Sequence, residues 1–189
     1  AASDVYKRQR VLTVAYEKQS ESNAMWALSI KMPFTPTMIA GAGGFFAPLI
    51  RGYMQRSGAP EDTGIRVALK DRLNALKNPY AHLQIPDITP EQIAESPMLW
   101  EPIRFLESCP SSDGACAMVL ADQKCAQASP GPVAWVRGTA MRSEPTMFAG
   151  RDEVSPRAGR ECAQDLYGQA GITDPRRDFD VAEIYVPFS

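Results

Sequence analysis

Tyr185 is the residue with the strongest claim to chemistry, because of its place in the chain. It comes at the carboxyl end of a predicted strand, residues 180–186, and precedes Val186 and Pro187. Ligands bind α/β sheets at the carboxyl ends of their strands. A phenol can transfer a proton, or donate a hydrogen bond to a developing oxyanion. From the residues alone, an ordinary core or rim tyrosine remains the simpler interpretation.

Two further features are candidates for ligand binding, and each has a simpler structural interpretation. Residues 41–44, Gly-Ala-Gly-Gly, precede a predicted helix and could cradle a phosphate. They lack the GxGxxG order, because Phe46 stands where the third glycine belongs, so a flexible helix entry is favoured. His82 could bind an anion or another ligand, but a histidine in a surface loop is the simpler interpretation.

Cysteine and arginine side chains supply the remaining candidates. Cys109 precedes a proline in a turn and could be a nucleophile, but no base is evident in the sequence, which favours a packed thiol. Arg137, Arg142 and Arg151 could contact cofactor phosphates, although solvated surface charge is the default for each. None of these candidates is stronger than Tyr185.

Composition excludes several classes of protein. The 189 residues are 44% hydrophobic with a formal net charge of −2, so no basic footprint for nucleic acid exists. No apolar run is long enough to span a bilayer, and no signal peptide is visible. The 4 cysteines lack CxxC spacing and fit reduced thiols, which predicts a cytoplasmic location. With one histidine, His82, we expect no metal site.

Residues 108–124 are the stretch around which the chain is organised. Pro110, Ser111, Ser112, Asp113 and Gly114 indicate a turn, which Asp113 and Gly114 are expected to shape. Residues 115–121 follow without a charge, as is typical of a strand covered on both faces.

Further strands and helices alternate along the chain. Strands are predicted at residues 11–16, 133–140 and 180–186, the first of them buried. Helices are predicted at about 40–56, from Pro60 to about 77, at 123–129, and from 156 to 170 before Gly171. A further short helix is predicted to begin at Pro90, with a capping box formed by Thr89 and Gln92. This order implies an α/β architecture with an inserted helical region.

The order of these pieces resembles the thiolase superfamily, in its sterol-carrier or lipid-transfer-protein branch. Residues 14–18 (VAYEK) look like the strand that follows the nucleophile helix in those enzymes. Residues 107–120 (ESCPSSDGACAMVL) are similar to the branch's Cys-Pro-x-Ser-Asp-Gly-Ala-Ala strand, which is a specific match. Residues 179–189 (FDVAEIYVPFS) lie where the branch has Val-Glu-x-His-Asp-Cys-Phe. The resemblance implies a thiolase-like fold, a layered sheet with helices.

The last of these stretches departs from thiolase in a way that bears on the reaction. Tyr185 replaces the His that polarises the thioester oxygen, and Val186 replaces the acidic residue. The Tyr-x-Pro-Phe-Ser pattern resembles the steroid side-chain aldolases, thiolase-like lyases that cleave β-hydroxyacyl-CoA thioesters. The resemblance implies an acyl-CoA substrate with coenzyme A as part of it, no covalently bound cofactor, a homodimer, and a partner with an OB-fold and zinc ribbon.

The resemblance also implies a domain organisation. Residues 1–10 are expected to be a non-native start, 11–19 the end of an N-terminal thiolase half, and 20–107 an inserted loop region that helps bind coenzyme A. Residues 108–131 would complete that half, and 132–189 would begin a truncated C-terminal half. We therefore expect an internal fragment, inactive alone and prone to association through exposed strand edges.

Two other functions stay open at this stage. The first is a thiolase-type acyltransferase whose cysteine nucleophile lies upstream of this chain. The second is a non-catalytic, thiolase-like subunit that only holds a partner.

Overall fold

The described residues form a mixed structure of helices and strands. The computed structural model describes residues 9–21, 41–144, 150–152 and 154–189. The predicted non-native start therefore falls largely outside the described residues, as does much of the first part of the predicted insertion. The elements are β1 (Arg10–Lys18), α1 (Gly41–Ser57), α2 (Thr63–Ala75), α3 (Pro90–Glu95), β2 (Met98–Trp100), β3 (Ile103–Arg104), β4 (Asp113–Ala121), α4 (Gln123–Gln127), α5 (Arg157–Ala170) and α6 (Pro175–Asp178).

The two longest strands pair with each other across almost a hundred residues of sequence. β1 and β4 run antiparallel in unbroken register, from Arg10 opposite Ala121 to Lys18 opposite Asp113. Both strands were predicted from their apolar runs, and their existence is confirmed. Their predicted burial is wrong for the described chain, because every residue of both strands is exposed. A two-stranded ladder has two faces, and neither face is covered among the described residues.

Two other predicted strands do not form. Residues 133–140 and 180–186 belong to no ladder among the described residues, because neither segment finds a strand partner there. At Thr139 the side chain of Gln169, in α5, takes the place of a strand partner. The Thr139 N–H donates to Gln169 Oε1 at 3.1 Å, and Gln169 Nε2 donates to the Thr139 carbonyl at 3.0 Å. Apolar runs predict extended backbone, but they do not specify which neighbour satisfies its hydrogen bonds.

A small core holds α2 and α3 together. Ala68, Ile88 and Ile93 are buried in one cluster, against which partly buried side chains pack, among them Ile65, Leu69 and Leu106. The spacing in the sequence predicts one apolar face for α2, made of Ile65, Ala68, Leu69, Leu73 and Leu76. Its first three members pack in this core, whereas Leu73 and Leu76 are exposed, so the prediction is confirmed for the first part of the helix only. Through Leu106 this core supports the segment that leads to residues 107–109.

Capping begins α3 as the sequence predicts. The Thr89 hydroxyl accepts from the Gln92 N–H at 3.3 Å, and the Gln92 side chain accepts from the Thr89 N–H at 2.9 Å. Pro90 occupies the first helical position, where its missing N–H costs nothing. The cap therefore fixes where α3, with its fully buried Ile93, enters the core.

We expect Thr89→Ala to lower the free energy of unfolding by about 1 kcal/mol, because the N3 amide loses its acceptor. Urea denaturation followed by circular dichroism measures the change. Thr89→Ser is the matched control and should stay close to the native value, since it keeps the hydroxyl. Equal loss in both variants would show that the methyl group, not the cap, stabilises this helix.

Candidate active site

The carboxyl-terminal segment is attached to residues 107–109 by backbone pairing. The Cys109 N–H donates to the Pro187 carbonyl at 2.8 Å, and the Ser189 N–H donates to the Glu107 carbonyl at 3.1 Å. Ser108 and Phe188 form an antiparallel bridge between these two bonds. Phe188 also packs on Phe46 of α1, with ring centroids 5.7 Å apart. Because Tyr185 lies only two residues before Pro187, this pairing determines where Tyr185 lies.

A cavity of about 800 Å³ lies beside this pairing. Its walls are mostly apolar and aromatic, and its volume falls in the range of small-molecule sites. The lining includes Phe46, Leu83, Trp100, Phe105, Cys109 and Tyr185. Arg72 is the cationic side chain among the described residues of the lining. The arrangement can hold an apolar group against a phenol and a thiol.

Tyr185 lies on the wall of this cavity, although not in the setting that the sequence predicts. Its side chain is 83% exposed, and residues 180–186 form no strand among the described residues. Its position instead depends on the pairing of the residues that follow it. An exposed phenol at the wall of an apolar cavity can contact a ligand bound in that cavity.

Cys109 is exposed at the same wall, which corrects the prediction of a packed thiol. Its backbone N–H is bonded to the Pro187 carbonyl, and the residue borders the cavity. No histidine is among the cavity-lining residues described, and the chain's one histidine lies elsewhere. Among the lining residues described, Cys109 is therefore not accompanied by an imidazole base of the kind that activates cysteine nucleophiles.

The other candidates lie apart from the cavity. His82 is exposed, and its Nδ1 contacts the Ser112 hydroxyl, as expected of a surface loop. Arg142 pairs with Asp165, and Arg137 donates to the Ala170 carbonyl at 2.9 Å, so both serve the surface of α5. Arg151 is half-buried, with its Nε unpartnered among the described residues. The structure does not bring these arginines together with Tyr185.

Asp113 and Gly114 begin β4 at the edge of the site. Asp113 accepts hydrogen bonds from the backbone and side chain of Ser20, with the backbone bond at 2.9 Å. The bond from the Ser20 hydroxyl, helped by its N–H, lowers the pKa of the Asp113 carboxyl. Asp113 thus attaches the end of β1 to the start of β4, opposite Lys18. The predicted turn does not form as such: residues 110–112 are not in a turn, and Asp113 and Gly114 belong to β4, where Asp113 fastens the strand ends.

Residues 41–44, Gly-Ala-Gly-Gly, begin α1, and two of these glycines have a specific structural role. Gly41 has a positive φ of 58° at the first position of the helix. A Cβ on Gly43 would overlap the indole ring of Trp100, with Cδ2 only 2.8 Å away. The helix-entry interpretation is therefore confirmed, with an added reason: Gly43 lets the Trp100 ring lie against the helix and complete the cavity wall.

We expect Gly43→Ala to destabilise the fold by about 1–3 kcal/mol, because the new methyl group forces Trp100 out of its position. Thermal unfolding measures the loss, and a shift in tryptophan emission reports the displaced ring. Gly168→Ala in α5 is the matched control. A Cβ there meets nothing within 4 Å, so it should be neutral or stabilise by about 0.5–1 kcal/mol. Equal effects would contradict the close packing at Gly43.

Glu107 is the buried ionisable residue behind the pairing segment, 6% exposed. Its Oε2 accepts from the Arg104 N–H at 2.8 Å, and the Arg104 guanidinium lies 3.6 Å away. Burial raises the pKa of the Glu107 carboxyl above its usual value, although the bonds and charge of Arg104 oppose the shift. The folded state therefore binds this proton more tightly than the unfolded state does.

This shift predicts the sign of a pH dependence. Because the folded protein holds the proton more tightly, the stability that Glu107 contributes falls as the pH rises from 4.5 through the raised folded pKa. The free energy of unfolding of the native protein minus that of Glu107→Gln should decline over this window. In Glu91→Gln the slope should be opposite and lie below 4.5, because hydrogen bonds lower the pKa of Glu91. A rising difference for Glu107 would contradict its burial.

Sequence reasoning missed several residues of the site. Phe46 was noted only as the residue that interrupts a glycine motif, Trp100 was not used, and Arg72 was not considered. A signal for Arg72 exists: it lies four residues after Ala68 and seven after Ile65, on the apolar face of α2. A charged residue on such a face needs a partner, and the partners of Arg72 are backbone carbonyl groups.

Two negative observations apply to the part of the chain that the structure describes. No group of three or more His, Cys, Asp or Glu side chains there could hold a metal ion. None of the helices in those ranges is long and apolar enough to cross a membrane.

Comparison with known proteins places the chain in a family. No protein-family profile matches it. The "steroid side-chain-cleaving aldolase" of Thermomonospora curvata is 33% identical over 149 residues, which are 76% of this chain and 37% of that protein. The "benzoylsuccinyl-CoA thiolase subunit BbsB" of Thauera aromatica is 27% identical over 148 residues, 77% of this chain and 37% of that subunit. The chain is thiolase-like.

A solved structure agrees with this relationship. The thiolase-like chain superposes on a structure described as "Ltp2-ChsH2(DUF35) aldolase" with a TM-score of 0.74 and 26% identity. The match covers 90% of this chain and 47% of that one. The family resemblance drawn from residues 107–120 and 179–189 is therefore confirmed. The chain spans 37% of the length of the two relatives named above.

Proposed function

We propose that this thiolase-like chain belongs to a lyase that cleaves a carbon–carbon bond in a β-hydroxyacyl-CoA by retro-aldol chemistry. The observation that carries the proposal is the position of Tyr185 on the wall of an apolar cavity, where the thiolase motif has a histidine. A relative named as a steroid side-chain-cleaving aldolase supports the same reaction class. A steroid side-chain thioester is the proposed substrate, since the aromatic and aliphatic walls suit an apolar acyl group.

The reaction needs one proton acceptor and one group that stabilises negative charge. A base removes the proton of the β-hydroxyl, the Cα–Cβ bond breaks, and the β-carbon becomes a carbonyl. The electron pair of that bond forms the thioester enolate, which then takes a proton to give a shortened acyl-CoA. Tyr185 can serve as the base, or it can donate a hydrogen bond to the enolate oxygen.

No acyl-enzyme forms in this sequence of steps, so a cysteine nucleophile is unnecessary. Cys109 borders the cavity without a histidine partner among the lining residues described, which suits a lyase. Coenzyme A would enter as part of the substrate, with no covalently bound cofactor. The helical region that includes α1 and α2 is the proposed support for it.

We also propose that the enzyme assembles with other subunits. The exposed faces of β1 and β4 suit inner strands of a layered thiolase-like sheet, which would bury them. A homodimer is proposed on the same ground. A solved relative carries DUF35 in its printed description, which supports a partner with an OB-fold and zinc ribbon.

A thiolase-type acyltransferase is the second candidate. A relative of the chain is named as a thiolase subunit, which favours it. That reaction would use free coenzyme A and a cysteine nucleophile outside this chain. A non-catalytic subunit that only holds a partner is the third, and it would leave turnover unaffected by changes at Tyr185.

We expect Tyr185→Phe to lower turnover of a tertiary β-hydroxyacyl-CoA by about 10²–10⁴-fold, because the phenol that moves the proton or holds the enolate is lost. The assay uses the full-length protein with its partner, without free coenzyme A. Tyr80→Phe is the matched control: Tyr80 is 93% exposed and should leave the rate unchanged.

The same proteins should be assayed with a β-ketoacyl-CoA plus free coenzyme A. Cleavage of this substrate, indifferent to Tyr185→Phe, would contradict the lyase and favour the acyltransferase.

A further inference from the structure

Arg72 of α2 holds the segment on which Tyr185 depends. Its Nη2 donates to the Leu106 carbonyl at 3.1 Å and to the Ser108 carbonyl at 2.7 Å. The carbonyl between these two, that of Glu107, accepts instead from the Ser189 N–H. Three consecutive carbonyls are thus divided between the guanidinium and the carboxyl-terminal segment.

These contacts are strong and are directed at backbone alone. The donor carries a full charge and is partly buried, conditions under which hydrogen bonds to carbonyl groups gain strength. Arg72 makes no ion pair with any acidic side chain of the described ranges, so its charge is not occupied elsewhere. Its guanidinium also lines the cavity. A cation placed this way fixes the path of residues 106–108.

A second residue of the same helix independently fits this arrangement. Gly64 lies eight residues before Arg72, which is about 12 Å along the helix axis. A Cβ at Gly64 would lie 2.9 Å from the Ser189 carbonyl oxygen and closer still to Glu107 Oε1. The helix therefore approaches the paired segments closely at Gly64 and binds one of them at Arg72.

We propose that Arg72 is a positioning residue: through residues 106–108 it sets the paired segment 187–189, and so the place of Tyr185 at the cavity. The effect on catalysis rests on the proposed lyase function. The path is Arg72 to the Leu106 and Ser108 carbonyls, then the Cys109–Pro187 and Glu107–Ser189 hydrogen bonds, then Tyr185. Arg72 acts through this backbone and needs no contact with the reacting atoms.

The test combines hydrogen exchange with kinetics in the full-length protein. Arg72→Met keeps the aliphatic stem and removes the donors, whereas Arg72→Lys restores a charged donor. Arg66→Met is the matched control on the same helix, since Arg66 is exposed and pairs with Asp62. Exchange is read at the Cys109 and Ser189 amides, and kcat and KM are read with the tertiary β-hydroxyacyl-CoA.

In Arg72→Met we expect exchange at both amides to accelerate about tenfold or more, because the segment that accepts and donates these bonds loses its anchor. We expect kcat to fall about 10–100-fold with KM nearly unchanged, since small misplacements of a catalytic group are costly. Arg72→Lys should recover part of both losses, and Arg66→Met should show neither.

Three results would overturn the proposal, and a fourth would separate it from the proposed lyase function. Unchanged exchange in Arg72→Met would overturn it, as would faster exchange with an unchanged kcat. A loss confined to KM would also overturn it, because Arg72 would then bind substrate directly. If the native protein fails to cleave the hydroxyacyl-CoA, the lyase function fails, and the exchange rates alone decide whether Arg72 positions the segment.

Gly64→Ala provides a second variant, which adds a steric clash where Arg72→Met removes hydrogen-bond donors. It leaves every donor of Arg72 in place but pushes on Glu107 and Ser189 from the same helix. Exchange at Ser189 should accelerate more than at Cys109, because the added methyl group meets Ser189 directly. An unchanged Ser189 amide would contradict the close approach of α2 to the paired segments.

Discussion

Two backbone hydrogen bonds, from Cys109 to Pro187 and from Ser189 to Glu107, set the geometry of this site. They join segments that lie about eighty residues apart in sequence, and each contributes only about 0.5–1.5 kcal/mol net. Their main effect is to fix the position of the carboxyl-terminal segment, since their contribution to the free energy of unfolding is small. The cavity wall, the exposed phenol of Tyr185 and the exposed thiol of Cys109 all take their places from this pairing.

The surrounding structure holds the 107–109 side of the pairing firmly. Behind it lies the small core of Ala68, Ile88 and Ile93, and Glu107 is buried against α2. The other side is residues 187–189, and residues 180–186, which lead into it, make no ladder of their own among the described residues. A firmly held segment therefore fixes a loosely held one, an arrangement in which loops that carry chemistry are positioned by a rigid support.

Local patterns in the sequence predicted local structure well. The capping box at Thr89, the first part of the apolar face of α2 and the strands β1 and β4 all follow from spacing and turn residues. Predictions that depended on distant partners were less successful. Residues 133–140 alternate as a strand does, yet Thr139 is satisfied by the Gln169 side chain, because a pattern specifies backbone shape and not the neighbour.

The site divides along the same line. Tyr185 was singled out by its place after an apolar run, and the structure puts it at the cavity, although through a different element. Cys109 was expected to be packed and is exposed, because the burial of a side chain depends on distant segments that local sequence does not specify. The roles of Gly43, beside Trp100, and of Arg72 come from contacts that no spacing rule contains.

The most direct test of this account is an experimental structure of the full-length protein with a non-cleavable thioester that retains the β-hydroxyl. The acyl group should fill the cavity beside Trp100. The Tyr185 oxygen should lie within about 2.6–3.2 Å of the β-hydroxyl or the thioester oxygen. An acyl group bound elsewhere, or a β-hydroxyl out of reach of Tyr185, would contradict it.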